Sequence, residues 1–389
     1  MTQDPYQFLE QLQEHIYSQL GEAPQVFPGD FLLEQARLFL RARRPTAPAE
    51  EIEKDAEELV RDMEEGPAPR TRFEHPGWYG ILHSLSNWIE TSVQTMGLPM
   101  RESPAFGSLP TGQVNAMTIA VPNSADHLVL FEDQLFIFAL LFSKALARAL
   151  PVRRTPEGGL LYSVDKDEVA DRIRAKKDVV ERFADVVLAY SISGRPSNAR
   201  QYYVESEYFA LSDTIRESME CFVLGHEYGH VIGMHLGEAA RSAGMLAADE
   251  VDEINYNWMQ EHEADIYGTA LTLQSIHRER RIEPAMCFIG VDTFFSAMDV
   301  MDKATSLLRS GDENATTLGS HPPSSQRREV TRRFLDRILD PEHARSAVEL
   351  AESLQFAMEQ LWSATRPLLM SAMERGATAA PRWSVRNSG

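Results

Sequence analysis

The chain has 389 residues, 43% of them hydrophobic and 25% charged, which is ordinary for a globular protein and long enough for one large domain with an appendage or for two domains. A formal net charge of -20 at pH 7 argues against broad nucleic-acid binding and against docking on anionic membranes. Two cysteines, Cys221 and Cys287, give no disulfide framework, and the start MTQDPYQFLEQLQEH lacks the basic-then-apolar pattern of a secretory signal, so a cytoplasmic protein without membrane insertion is expected.

Apolar residues recur at helical spacing over 4–20, 31–43 and 49–65, between proline or glycine breaks, and predict three helices with charged outer faces. Residues 64–75, EEGPAPRTRFEH, read as a linker. Residues 1–70 are therefore expected to be a helical N-terminal appendage: plain scaffold, a dock for a regulatory partner, or a cover for a site. A helix is predicted over 76–96, with Trp78, Ile81, Leu82, Leu85, Trp88 and Ile89 on one wide apolar face. Strands are predicted at 113–121 and 127–131, across a Pro-Asn-Ser-Ala-Asp turn. An exposed strand edge is a place where an extended peptide adds by backbone hydrogen bonds; ordinary core pairing is the plainer alternative. The most apolar stretch, 128–150, carries Glu132, Asp133, Lys144 and Arg148 and is too interrupted to span a bilayer. Further helices are predicted over 135–149 and 166–189, and residues 194–201, GRPSNARQ, read as a mobile loop placed where a lid would sit.

Residues 221–233, CFVLGHEYGHVIG, contain His226-Glu227-Tyr228-Gly229-His230. Helical positions four apart lie one above the other, so both imidazoles reach one ion while Glu227 stands beside them. A catalytic zinc takes three protein ligands and keeps one position open, where bound water falls in pKa from 15.7 to about 7 and a neighbouring carboxylate accepts its proton. This is the HExxH arrangement of zinc peptidases. Ile215, Met219, Phe222, His226, His230 and Met234 share helical spacing, which turns the histidines toward an apolar interior. Gly225, Gly229, Gly233 and Gly237 recur every fourth residue, although glycine in a helix costs about 1 kcal/mol relative to alanine. Such a stripe fits a second backbone packed very close. A tight helix crossing without chemistry explains the glycines too and is compatible with a metal site beside it. Cys221 reads as a small buried apolar residue.

A new helix starting near residue 251 stacks Asn257, Glu261 and Asp265 at four-residue steps on one face. Glu261 would complete a His-His-Glu set, Asp265 would accept the free N–H of a ligating histidine and fix its tautomer, and Asn257 would bond substrate backbone. Glu263, on the neighbouring face, reads as solvated. Two histidines compete for the third position less well. HEYGHVIGMH ends on His235 and has Leu236 where the HExxHxxGxxH pattern needs its histidine, and His262 points roughly 100° away from Glu261.

These pieces resemble the HExxH peptidases related to the HtpX heat-shock protease and the CAAX prenyl protease, gluzincins in which a glutamate from a second helix is the third ligand. The likeness rests on HEYGH at 226–230, the ExxAD run of Glu261, Ala264 and Asp265, the Asn115-Ala116 strand, and His321-Pro322-Pro323 with Arg327. It implies that His321 or Arg327 stabilises the oxyanion formed at the scissile carbonyl, or that His321 approaches the metal. The alternative for the HPP segment is a proline-capped loop opening a helix over 325–338. Many relatives carry transmembrane helices, the segment between the Asn-Ala strand and HExxH is longer than the family pattern, and residues 1–70 lie outside it.

The expectation is an α+β, mostly α chain with a zincin-like metallopeptidase domain over 76–338, C-terminal helices over 339–376 and a disordered tail over 377–389. Its expected activity is zinc-dependent endopeptidase cleavage of a protein or peptide substrate. The alternatives are a catalytically silent regulatory or binding protein on the same scaffold, or an ExxAN-type repressor-cleaving peptidase, against which Asp265 and the HPP segment speak.

Overall fold

Asp4 accepts the backbone N–H groups of Tyr6 and Gln7 and Pro5 opens the first turn, so helix α1 runs Pro5–Leu20 and stops at Gly21 in the left-handed region. The computed structural model describes residues 3–21, 29–111, 114–235, 250–314 and 322–380. After α1 come α2 (Gly29–Arg43), α3 (Ala49–Glu64), α4 (Pro76–Met96), strands β1 (Ala105–Leu109), β2 (Ala116–Ala120) and β3 (His127–Glu132), and α5 (Asp133–Ala149). A short hairpin, β4 (Val152–Arg154) and β5 (Leu160–Tyr162), precedes α6 (Lys166–Ala175), α7 (Lys177–Ser193) and α8 (Phe209–Ile232). The chain continues through α9 (Glu250–Arg280), α10 (Pro284–Ser310), α11 (Ser324–Ile338) and α12 (Pro341–Glu374). The described chain is α+β and mostly helical, as expected.

The sheet has the order β1-β3-β2, with β1 parallel and β2 antiparallel to β3. The central strand β3 is an apolar run, HLVLFE, buried from Leu128 onward. Its alternation divides the core. Leu128 and Leu130 face Leu9 and Ile16 of α1, and Val129 and Phe131 join the large cluster formed with α4, α5 and α8. Gln13 of α1 is buried too, donating to Glu74 at 2.7 Å and to the Ser108 carbonyl at 2.8 Å. Residues before the linker are in this way tied into the sheet, whereas α2 and α3 are joined to each other through Arg37 and Glu53.

Helix α8 is the hub. Every residue from Ser218 to Gly229 is buried, and α4, α5, α9, α10, β2 and β3 all pack on it. Helix α10 crosses α8 at Gly290 and lies against α12. Among the described residues α10 is the one helix long and apolar enough to cross a membrane, and 67% of that apolar window is buried inside the protein.

Several elements differ from the sequence expectation. The helix predicted over 166–189 breaks at Lys176 (φ -109, ψ 80). Its apolar stripe runs Val169, Ile173 and then Val179, Phe183, so an unbroken helix would turn Lys176 or Lys177 into the core. Strand β1 and the β4–β5 hairpin were not expected. Residues 194–201 are anchored, not lid-like: Pro196 is buried in a 3-10 turn and the Ser197 N–H donates to Gln134 at 3.1 Å. At the C-terminus the Ala380 N–H donates to the Ser191 carbonyl at 2.8 Å, and the remaining tail lies outside the described residues.

A Cβ added at Gly290 would lie 2.4 Å from the Met219 nitrogen and 2.4 Å from Ser218 Cβ. Helix propensity favours alanine by about 1 kcal/mol, but overpacking against fixed backbone costs typically about 1–3 kcal/mol or more. Gly290→Ala is therefore expected to lower stability, by about 1–2 kcal/mol net, and urea unfolding of the variant checks the sign.

Candidate metal centre

The site is made by α8 and α9 lying almost backbone to backbone. Gly225 faces Gly268, and Gly229 faces Ala264, where an added Cβ would sit 2.9 Å from both the Ala264 Cα and its carbonyl oxygen. From the other side, a Cβ at Gly268 would lie 2.9 Å from the His226 nitrogen. Gly225 and Gly229 thus have the partner that their cost called for; a Cβ at Gly233 would meet the His235 side chain instead, and Gly237 lies outside the described residues. The pairing runs the helices in opposite senses and sets His226 and His230 opposite Glu261 and Asp265.

The imidazoles of His226 and His230 approach Nε2 to Nε2 at 3.2 Å. Glu261 lies 3.5 Å from His226 Nε2 and 3.6 Å from His230 Nε2. One ligand atom from each of these three residues falls within a 4.8 Å group, the metal-competent group among the described residues. Two imidazole nitrogens and one carboxylate oxygen converging from two rigid helices fit zinc, which accepts this donor set and tolerates an open fourth position.

Behind the first histidine, Asp265 is fully buried and lies 3.0 Å from His226 Nδ1. Arg327, from α11, grips the same carboxylate in a two-pronged pair, Nε at 2.8 Å and Nη2 at 2.6 Å. Burial alone would push the Asp265 carboxyl up, but the Arg327 guanidinium and the His226 hydrogen bond outweigh it and hold the group well below the usual carboxylate range. Burial likewise lowers the basicity of His226, and Asp265 more than restores it, so the net direction is upward. For His230 burial and the neighbouring imidazoles act together and push the pKa down to about 2. A neutral ring with a free lone pair is the form that binds a metal.

Glu227 stands on the next face of α8. Burial pushes its carboxyl up, partly offset by the His226 charge and by Thr118 of β2, whose hydroxyl donates to Glu227 Oε2 at 2.7 Å. Tyr228, between the two histidines in sequence, points away and hydrogen-bonds Ser86 at 2.7 Å and Glu90 at 2.9 Å on α4, pinning the rotation of α8.

The structure thus assembles His226, Glu227, His230, Glu261, Asp265 and Arg327 in one place. Asn257 is half-buried one turn before Glu261. His321 lies outside the described residues. Arg327 borders the site, paired with Asp265 behind His226 and with Nη2 within 3.4 Å of Glu261. The rival ligands sit elsewhere: His262 is half-buried on the flank of α9, and His235 stands behind His230 at 3.0 Å. Glu263 is exposed, as expected, and it also lies 3.1 Å from His235. Thr118 was missed; a threonine in an alternating strand gives no sign of its partner. No family model, curated protein or solved structure matches the chain, so the geometry itself carries the functional reading.

Removing one side of a buried ion pair costs about 3–5 kcal/mol, because it strands the other charge, whereas replacing both sides is far milder. Arg327→Met in metal-free protein is expected to lose that much in urea unfolding, and Arg327→Met with Asp265→Leu to lose less than the single variant.

Proposed function

We propose that the chain is a zinc-dependent endopeptidase of the gluzincin type, related in design to the HtpX and CAAX prenyl proteases and built on a zincin-like domain. The observation that carries the reading is the convergence of His226, His230 and Glu261 from two close-packed helices, with the buried carboxylate of Glu227 alongside. A zinc ion held by those three residues would supply a Lewis acid and a water of pKa about 7.

The remaining chemistry belongs to the chain. Thr118 holds one oxygen of Glu227, which leaves the other free to take a proton, and burial moves the carboxyl toward the range where a base works near neutral pH. Asp265, itself fixed by Arg327, accepts the Nδ1 proton of His226 and so aims its Nε2 lone pair at the site. Arg327 is assigned this positioning part in place of an oxyanion contact. Among the described residues strand β2, which carries Thr118, pairs with β3 alone, so its other edge is the natural place for an extended peptide to add as a strand beside Glu227. The proposed substrate is accordingly an unfolded segment of protein, met in the cytoplasm.

A silent binding protein on the same frame is the competing reading. It has no use for a base that is buried, held by a dedicated hydroxyl and set beside the ligands. Glu227→Gln is expected to bind zinc with the stoichiometry of the parent while cleavage of unfolded casein falls by about 10²–10⁴-fold. Equal cleavage by that variant, or chelator-resistant cleavage by the parent, overturns the peptidase assignment; stoichiometric zinc without cleavage of casein by the parent favours the silent protein.

A further inference from the structure

We propose that His235 and Glu263 form a hydrogen-bonded relay that fixes the tautomer and aim of His230, so that each ligating histidine has its own carboxylate-terminated support. The proposal rests on the metal-centre reading above and extends it to two residues that lie outside the ligand set.

The contacts are sequential. His230 Nδ1 meets His235 Nδ1 at 3.0 Å, and His235 Nε2 meets Glu263 Oε2 at 3.1 Å. The His235 side chain is 5% exposed, whereas that of Glu263 is 53% exposed, so the chain of contacts leads from the site to solvent. The backbone is shaped for this placement. Met234 sits at φ 56, a left-handed conformation uncommon for a residue with a side chain, which turns the chain back as α8 ends. Gly233 leaves room for the result, since a Cβ there would lie 2.4 Å from His235 Nε2. A glycine and a left-handed methionine in succession are what bring this imidazole under His230.

Proton counting then orders the relay. Two ring nitrogens 3.0 Å apart share one proton. His230 turns its Nε2 toward His226 Nε2 and Glu261, where a lone pair is needed, so its proton resides on Nδ1 and is donated to His235 Nδ1. The proton of His235 must then be on Nε2, where the Glu263 carboxylate accepts it. Asp265 does the same for His226 in a single step. The two supports differ in setting: Asp265 is buried and neutralised by Arg327, and Glu263 reaches water.

The test uses the full chain with zinc and with cobalt(II) as a spectroscopic probe. His235→Leu keeps the bulk and removes the acceptor; His235→Asn keeps an acceptor at the δ position. The zinc dissociation constant, read by chelator competition on variants whose circular dichroism matches the parent, is expected to weaken by about 10–100-fold in His235→Leu and by no more than a few-fold in His235→Asn. Glu263→Ala is expected to fall between them. The cobalt(II) visible bands should keep their intensity in all three, because the donor set is unchanged. Parent-like zinc affinity in His235→Leu, equal loss in Leu and Asn, or a loss of cobalt band intensity like that of His226→Ala would each overturn the relay. A parent protein that binds no zinc would instead sink the metal-centre reading itself.

Discussion

The separation between α8 and α9 is the constraint on which the rest depends. Gly225, Gly229, Gly268 and Ala264 let the two backbones meet directly, and an added Cβ at any of the three glycines would crowd the facing helix. Three helical glycines forgo about 1 kcal/mol each of helix propensity, a cost that simple packing would avoid with alanine or leucine at a wider crossing. What the close crossing gains is reach. Imidazoles are short, and a glutamate on a helix at ordinary separation would not bring its carboxylate within 3.5–3.6 Å of both of them.

A crossing this tight also buries what it brings together, and the electrostatics follow. Asp265 is fully buried, and Arg327 answers it from a third helix. Helix α11 is fastened by a row of such contacts: Arg327 to Asp265, Arg328 to Ser296 at 3.0 Å, and Arg332 to Asp292 at 2.6 Å. That helix is poor in apolar residues and buries only Thr331 and Leu335, so its position depends on guanidinium pairing more than on core area. The same arginine fastens α11 and holds the carboxylate that contacts His226 Nδ1, so in the proposed reading the two roles meet at Asp265.

Much of this is legible in the sequence. The four-residue steps in HEYGH and in Asn257, Glu261 and Asp265 follow from helix geometry, and the glycine stripe announces a close neighbour through its cost. What stays hidden depends on long-range pairing. Strand β1, AFGSL, is a short run between prolines whose partner lies more than twenty residues on, and nothing local signals the parallel pairing. The break at Lys176 needs the knowledge that both Val169 and Val179 point inward. The commitment of Arg327 to Asp265 is invisible because an arginine near a site reads equally as a substrate contact or as a counter-ion. His235 fails as a third ligand by register, and that reading is silent about a position behind His230, reached through Met234 in a left-handed turn.

The charge of the site supports the same chemistry from an independent direction. Glu227, Glu261 and Asp265 are three carboxylates, all nearly buried, and Arg327 pairs with Glu261 and Asp265. Burying charge costs several kcal/mol per ion, so in the proposed reading a cation held beside these carboxylates would offset part of that cost. Burial raises the basicity of the Glu227 carboxyl, and the His226, His230 and Glu261 group could hold a metal ion. The proposed ion would be a transition metal, since calcium or magnesium would ask for more oxygen ligands than this imidazole-rich group offers. In the proposed reading, an ion held by His226, His230 and Glu261 would lie beside the buried carboxylate of Glu227, which is where a general base would be needed.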